Sequence, residues 1–352
     1  MSSVVISGDS SGTVTIAAPA VAGSGTQTLQ AGSGTVALDN TFGFKNRLIN
    51  GGFRVDQRNN GASQTITAAA ALAYTVDRWY AYCTGANVTG QRVAGTGSNQ
   101  YNYQFTGAAS VTGINFAQRI ETLNSYDLNG QNVKLSVYMS NSLLTSVTWT
   151  AYYANTSDTF GTLASPTVTQ IATGTFTVSS TYSQYSATIA IPAAATTGIQ
   201  IVFSVGAQTS GTWAIGYPQL ELGTTATSFD IRNHTSELTM CQRYYSKLGG
   251  TGASGYMAIG SGIGRSGTSF AGYIKFPITM RSAPTISYSG LMAAEYSGDN
   301  WVNFSSIGST YGGLDATMIQ VNVASSVLSA GMAILITQNA DGTAFIAMTS
   351  EL

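Results

Sequence analysis

Val133-Lys134-Leu135-Ser136-Val137-Tyr138-Met139 places an apolar side chain at every second position. Successive side chains of a strand point to opposite faces, so a repeat of two reads as a strand with one face turned to a core. The same alternation recurs in Val147-Thr148-Trp149-Thr150-Ala151-Tyr152, in Phe176-Thr177-Val178, from Tyr185 to Ile191 and from Ile199 to Val205. β-Branched and aromatic residues dominate these runs. Gly, Asn and Ser cluster between them as turn formers. Strand signals spaced by about 8–12 residues point to an all-β sandwich or barrel rather than to βαβ units.

Downstream, Asn233 to Ser246 breaks the pattern. It contains neither Gly nor Pro, and Leu238, Cys241 and Tyr245 fall on one helical face. Asn233 or Thr235 is placed to cap its start, and Gly249-Gly250 to stop the chain. Residues 233–250 therefore read as a short helix and linker between two β regions. Strand signals resume over residues 251–352, in Ser269 to Pro277, Thr285 to Tyr288, Trp301 to Phe304, Met318 to Val323, Met332 to Thr337 and Ala344 to Met348. Asn339-Ala340-Asp341-Gly342 reads as a hairpin turn between the last two.

Upstream, Ser3 to Gly34 is built almost wholly from Gly, Ala, Ser, Thr and Val. Short strands at Thr13 to Ile16, Thr26 to Leu29 and Thr35 to Leu38 carry too few large side chains for a core of their own. Residues 1–44 either remain a Gly/Ser-rich tail or order against a sister chain or another docking protein. Docking is the expectation, with a homotrimer sharing one seam as the oligomer.

The chain has 352 residues, 43% of them hydrophobic, so sizeable cores can form. Only 8% are charged, against roughly 25% in ordinary soluble domains. Ser, Thr, Asn, Gln and Gly make up the difference, which predicts a polar, nearly uncharged surface. No run approaches the roughly 18 apolar residues of a membrane span, so no membrane insertion is expected. The 14 basic and 15 acidic residues are scattered singly. No basic stripe of the kind nucleic-acid binding needs is visible. The opening stretch from Met1 to Gly12 shows neither the basic nor the apolar region of a secretory signal. Cys83 and Cys241 form no CxxC pair and read as free, buried thiols, in keeping with assembly in a reducing cytoplasm.

Four segments carry a resemblance. The first is Gly12 to Gly23, with Thr26-Gln27-Thr28-Leu29 and Gly34-Thr35-Val36. The second is Asn46 to Arg58, with Tyr74-Thr75-Val76-Asp77-Arg78-Trp79. The third is Pro218-Gln219-Leu220-Glu221-Leu222-Gly223, leading to Asp230-Ile231-Arg232 and Cys241-Gln242-Arg243-Tyr244-Tyr245. The fourth is Phe276 to Thr285. In this order they resemble recurrent elements of tail-fibre and minor structural proteins of tailed bacteriophages. The resemblance implies a jelly-roll, carbohydrate-binding-module-like sandwich over 45–232 and a smaller C-terminal β domain over 251–352. It implies a virion protein that docks on other virion proteins through residues 1–44 and contacts a host-surface glycan with its distal β domains. A purely architectural head, collar or tail component is the alternative.

Trp149 and Trp213 are expected in the core rather than on a sugar platform, and the resemblance implies the same for Trp79, with Asp77 and Arg78 bracing the adjoining strand and loop. The loop-borne aromatics are the better ligand candidates. Tyr101 and Tyr103 follow a turn. Tyr296, Asp299, Asn300 and Trp301 surround a Ser-Gly turn, and Tyr311 precedes two glycines. A ring can stack on a sugar face while Asp and Asn bond its hydroxyls, so Tyr296, Asp299, Asn300, Trp301 and Tyr311 form the expected contact site, at a distal tip. Trp301-Val302-Asn303-Phe304 also alternates, which leaves Trp301 open as the start of a core-facing strand. No enzyme is expected. Glycan hydrolysis needs two facing carboxylates, and the few acids sit beside turns, caps or arginines. A Ser/His/Asp hydrolase would have to use the single histidine, His234, which lies at the expected helix start. Zinc and calcium patterns are absent, and no cofactor is expected.

Overall fold

The structure, a computed structural model, describes residues 3–7, 13–17, 44–69, 72–250, 252, 255, 257–289, 293–297, 300–338 and 342–352. The chain forms two units, Met1–Leu38 and Asp39–Leu352. In the first, β1 (Ser3–Ser7) and β2 (Thr13–Ala17) pair antiparallel, with Ser3 opposite Ala17. The strands expected at Thr26 to Leu29 and Thr35 to Leu38 lie outside the described residues.

The second unit opens with a sandwich. Its strands are β3 (Gln64–Ile66), β4 (Ala73–Tyr74), β5 (Tyr80–Thr84), β6 (Val88–Ala94), β7 (Tyr101–Thr106), β8 (Gly113–Ile120), β9 (Asn132–Asn141), β10 (Ser146–Ala154), β11 (Val168–Thr177), β12 (Ser183–Ala190), β13 (Ile199–Val205) and β14 (Thr212–Leu222). One six-stranded sheet runs β11-β10-β13-β8-β5-β4 and the other β12-β9-β14-β7-β6-β3. The alternation at Val133 to Met139 holds, since Val133, Leu135, Val137 and Met139 are all buried in the shared core. Trp79, Trp149 and Trp213 are buried there too. The Phe116 ring stacks on Trp79 at 4.8 Å and on Tyr103 at 5.1 Å between centroids. This is the expected all-β, jelly-roll arrangement.

The segment before β3 is pinned by polar side chains. Asn46 donates to the Pro218 carbonyl at 3.1 Å, and its own carbonyl accepts from the Leu48 and Leu220 amides. Asn50 bonds both the amide and the carbonyl of Val55. A Cβ at Gly51 would stand 2.5 Å from the Pro218 carbonyl oxygen, so this close approach requires glycine.

Helix α1 (His234–Gln242) is capped by Asn233, whose side chain accepts from the Thr235 amide at 2.9 Å. It ends earlier than expected because a sheet takes over the chain. β15 (Tyr245–Gly249) pairs with β23 (Phe345–Thr349), Tyr245 opposite Thr349. Leu238 and Cys241 do share a face and pack with Ile49 and Val55, but Tyr245 has left the helix. Gly249 and Gly250, both at positive φ, terminate the strand rather than the helix.

The remaining strands are β16 (Ala258–Ser266), β17 (Ser269–Lys275), β18 (Thr285–Ser289), β19 (Ala293–Ser297), β20 (Asn300–Gly312), β21 (Ala316–Val323) and β22 (Ala333–Thr337). The order β16-β17-β21-β20-β19-β22 closes into a barrel, beside a three-stranded sheet β15-β23-β18. The turn expected at Asn339 to Gly342 lies largely outside the described residues, and the strands it was expected to join, β22 and β23, pair with other strands. A strand has two edges, and β22 gives its own to β16 and β19 while β23 gives its own to β15 and β18.

Candidate functional site

The structure does not bring Trp301 and Tyr311 together, and Tyr101 and Tyr103 lie in the sandwich. Tyr103 is fully buried, and half-buried Tyr101 lies under the Arg92 guanidinium at 4.5 Å. Both belong to β7, not to a loop. Tyr296 lies on β19, and its side chain and Asp299 fall outside the described residues. Asn300 is exposed and Trp301 half-buried as the first residues of β20. Tyr311 is exposed near the other end of that strand. Following the register around the barrel, Trp301 lies opposite Glu295, then come Leu335, Ser261, Tyr273, Met318 and finally Tyr311. Closing a barrel staggers the register, so the row returns to β20 a full circuit later. Trp301 and Tyr311 therefore stand towards opposite ends of one long strand.

A different arrangement appears on the outer face of the sandwich. A groove of about 630 Å³ lies over β5, β8, β13 and β10, roofed by the 160–168 loop. Cross-strand rows make its floor. One joins Arg119, Gln200 and Tyr152, and the next joins Tyr80, Ala117 and Val202. Ala81 and Cys83 point inwards, so Tyr80 and Tyr82 must point out. Burial raises the Tyr80 phenol above its ordinary range, although nearby Arg119 pulls it back. The Tyr82 phenol is raised by burial and then by Tyr152. From β5 to β10 the floor spans three strand spacings, about 14 Å. A second hollow of about 480 Å³, lined by Thr148, Ser204 and Leu144, lies on the same sheet. The groove lining contains tyrosines, Phe160, Gln200, Thr84 and Arg119 but no carboxylate.

Sequence reasoning missed this groove while reading its strands correctly. Tyr152 closes the alternating run that begins at Val147, and Tyr82 sits between two inward residues. The signal was the outward half of the alternation, which carries tyrosine where solvent-facing Ser or Thr is ordinary.

The second, third and fourth quoted motifs serve another purpose: their residues meet in a seam of scarce charges. Arg78 ion-pairs with Glu351, donates to the Arg119 carbonyl at 2.6 Å and lies 3.5 Å over the Tyr244 ring. Arg58 binds the same Glu351 at 2.9 Å and covers the Tyr245 ring at 3.5 Å. Arg281 donates to the carbonyls of Ser350 and Glu351. Arg232 engages Asp230 and Glu237. Asp77 accepts from the amide and side chain of Gln57, and burial pushes its carboxyl up to about 6. Asp77 and Arg78 thus brace the structure as expected.

Several other acids among the described residues are similarly committed. Glu121 pairs with Arg243, Asp127 with Arg47 and Asp56 with Arg92, while Asp158 accepts from Thr122. Cys83 and Cys241 are free and buried, and burial raises both thiols. Among the described residues, no cluster of three His, Cys, Asp or Glu could hold a metal, and no helix is long and apolar enough to cross a membrane.

No family model and no curated protein matches the sequence. Solved structures do resemble it. A CBM4 carbohydrate-binding module is 17% identical over 49% of this chain and 98% of its own, with a TM-score of 0.32. The enzymatically active domain of tailspike protein 4 from bacteriophage CBA120 is 15% identical, over 51% of this chain and 22% of that one, with a TM-score of 0.31. A family 11 carbohydrate-binding module from Clostridium thermocellum, solved with a β-1,3-1,4-mixed-linked tetrasaccharide, is 13% identical, over 45% of this chain and 98% of that one, with a TM-score of 0.28. The chain is thus similar to jelly-roll carbohydrate-binding modules and to a tailspike domain, at levels that assign it no activity.

Proposed function

We propose that this chain is a non-enzymatic, glycan-binding structural protein of a virion, of the tail-fibre or adhesin type, which docks through residues 1–44. The observation that carries the glycan reading is the outer groove of the sandwich. Half-buried Tyr82 and Tyr152 present rings and hydroxyls along a floor long enough for a short oligosaccharide, with fully buried Tyr80 packed beneath them. Gln200 and Thr84 add hydrogen-bonding groups, and ring faces with polar tips suit a ligand that is apolar on its flat side and wet at its edges. Among the described residues the groove lining holds no pair of carboxylates of the kind most glycoside hydrolases use, which supports binding without hydrolysis. The ordered motifs support the virion assignment. The groove replaces the barrel residues Trp301 and Tyr311 as the proposed contact site, because those two do not converge.

The test is an oligosaccharide array on the full chain, including the mixed-linked tetrasaccharide, followed by calorimetry of the best binder with Tyr82→Ala and Tyr152→Ala. Each substitution is expected to weaken binding at least about tenfold, or roughly 1.4 kcal/mol, with little change in Tm. Binding that survives both substitutions but is lost in Trp301→Ala would move the site to the barrel. No binding to any glycan would favour the purely architectural reading.

A further inference from the structure

We infer that residues 350–352 complete the sandwich groove, by holding Arg119 so that it ties the floor to the roof. Arg119 stands on β8 with a long side chain that must be fixed from outside its own strand. Three acceptors fix it: the Gln200 side chain at 3.2 Å, the Leu352 main-chain oxygen at 2.7 Å and the Gly161 carbonyl at 3.3 Å. The guanidinium lies between rings, 5.2 Å from Tyr80 on the floor and 5.1 Å from Phe160 in the roof. Gly161 is at positive φ and carries no side chain, so its carbonyl is what Arg119 grips.

The Leu352 oxygen is itself positioned. It accepts a second hydrogen bond from the Tyr74 hydroxyl at 2.9 Å. One residue earlier, the Glu351 carboxylate is buried between Arg58 and Arg78, and Arg78 also grips the Arg119 carbonyl. The Ser350 amide donates to the Tyr244 carbonyl at 2.8 Å, and Arg281 holds the carbonyls of Ser350 and Glu351. β23 therefore leads from the three-stranded sheet straight to the groove floor. Glu351 and Leu352 are positioning residues: they act on the roof loop through Arg119. Docking of residues 350–352 and occupancy of the groove are coupled, and the coupling runs equally in both directions. Its functional meaning rests on the glycan reading of the groove, but the mechanical link does not.

Hydrogen–deuterium exchange on the unliganded full chain tests the link. In Glu351→Gln, amides of residues 157–167 are expected to exchange about fivefold faster or more, while those of β9 and β14 stay unchanged. Tyr74→Phe removes one hydrogen bond to Leu352 and should shift the same loop in the same direction, less strongly. It decides the matter alone if Glu351→Gln folds poorly. Unchanged loop exchange in Tyr74→Phe and Glu351→Gln, or exchange that rises evenly over the whole sandwich, would overturn the inference. A glycan array without hits would leave the exchange result standing, so the two ideas fail separately.

Discussion

Trp79→Ala is the substitution whose cost follows most directly from the geometry. The indole is fully buried, stacked on Phe116 at 4.8 Å and edge-on to Phe53 at 5.6 Å. Its Nε1 donates to the carbonyls of Ile49 and Asn50, both at 3.2 Å, and so holds the 46–56 segment against the sandwich. Truncating a buried aromatic to alanine costs about 3–5 kcal/mol. The shared N–H adds about 1 kcal/mol for the bond lost, giving roughly 4–6 kcal/mol. Trp79→Phe keeps most of the ring packing and loses the donor, so about 1–3 kcal/mol is expected. Urea unfolding followed by circular dichroism reads both. A loss below about 1 kcal/mol in Trp79→Ala, or equal losses in Ala and Phe, would refute the account of this indole as the centre of the core and the latch of that segment.

Two further outcomes are expected. The Asp77 carboxyl, raised by burial from an ordinary 3.8 to about 6, stays protonated in the folded chain where the unfolded chain has lost its proton. Its contribution to stability is thus fully present below pH 4 and is lost as pH rises through 6. Asp77→Asn should remove that slope, and a wild-type-minus-variant difference that does not change between pH 4 and pH 7 would contradict it. At Gly174 a Cβ would meet the Trp149 ring at 2.7–2.8 Å. Gly174→Ala should therefore cost about 1–3 kcal/mol and change Trp149 fluorescence, whereas a neutral substitution would show that the ring can move aside.

The strands of the sandwich were legible because each is written in the chain itself: Val133, Leu135, Val137 and Met139 alternate with polar neighbours, and burial follows the alternation. The helix was legible from its cap at Asn233, but its end was not. Nothing local marks Tyr245 as a strand residue, since its partner Thr349 lies a hundred residues on. The expected pairing of β22 with β23 misled for the same reason, because good turn chemistry says nothing about which edges are already taken.

The sequence by itself determined the fold class, the burial of Trp149 and Trp213 and the shortage of surface charge, since periodicity and composition act within a few residues. Tertiary structure alone decided the site. The groove draws Tyr82, Arg119, Tyr152 and Gly161 from three strands and a loop, and it depends on Leu352, more than two hundred residues from Arg119. Trp301 and Tyr311 share β20 but stand towards its opposite ends. Which residues become neighbours depends on strand order and register, and these follow from the summed burial of two whole sheets rather than from any single stretch of chain.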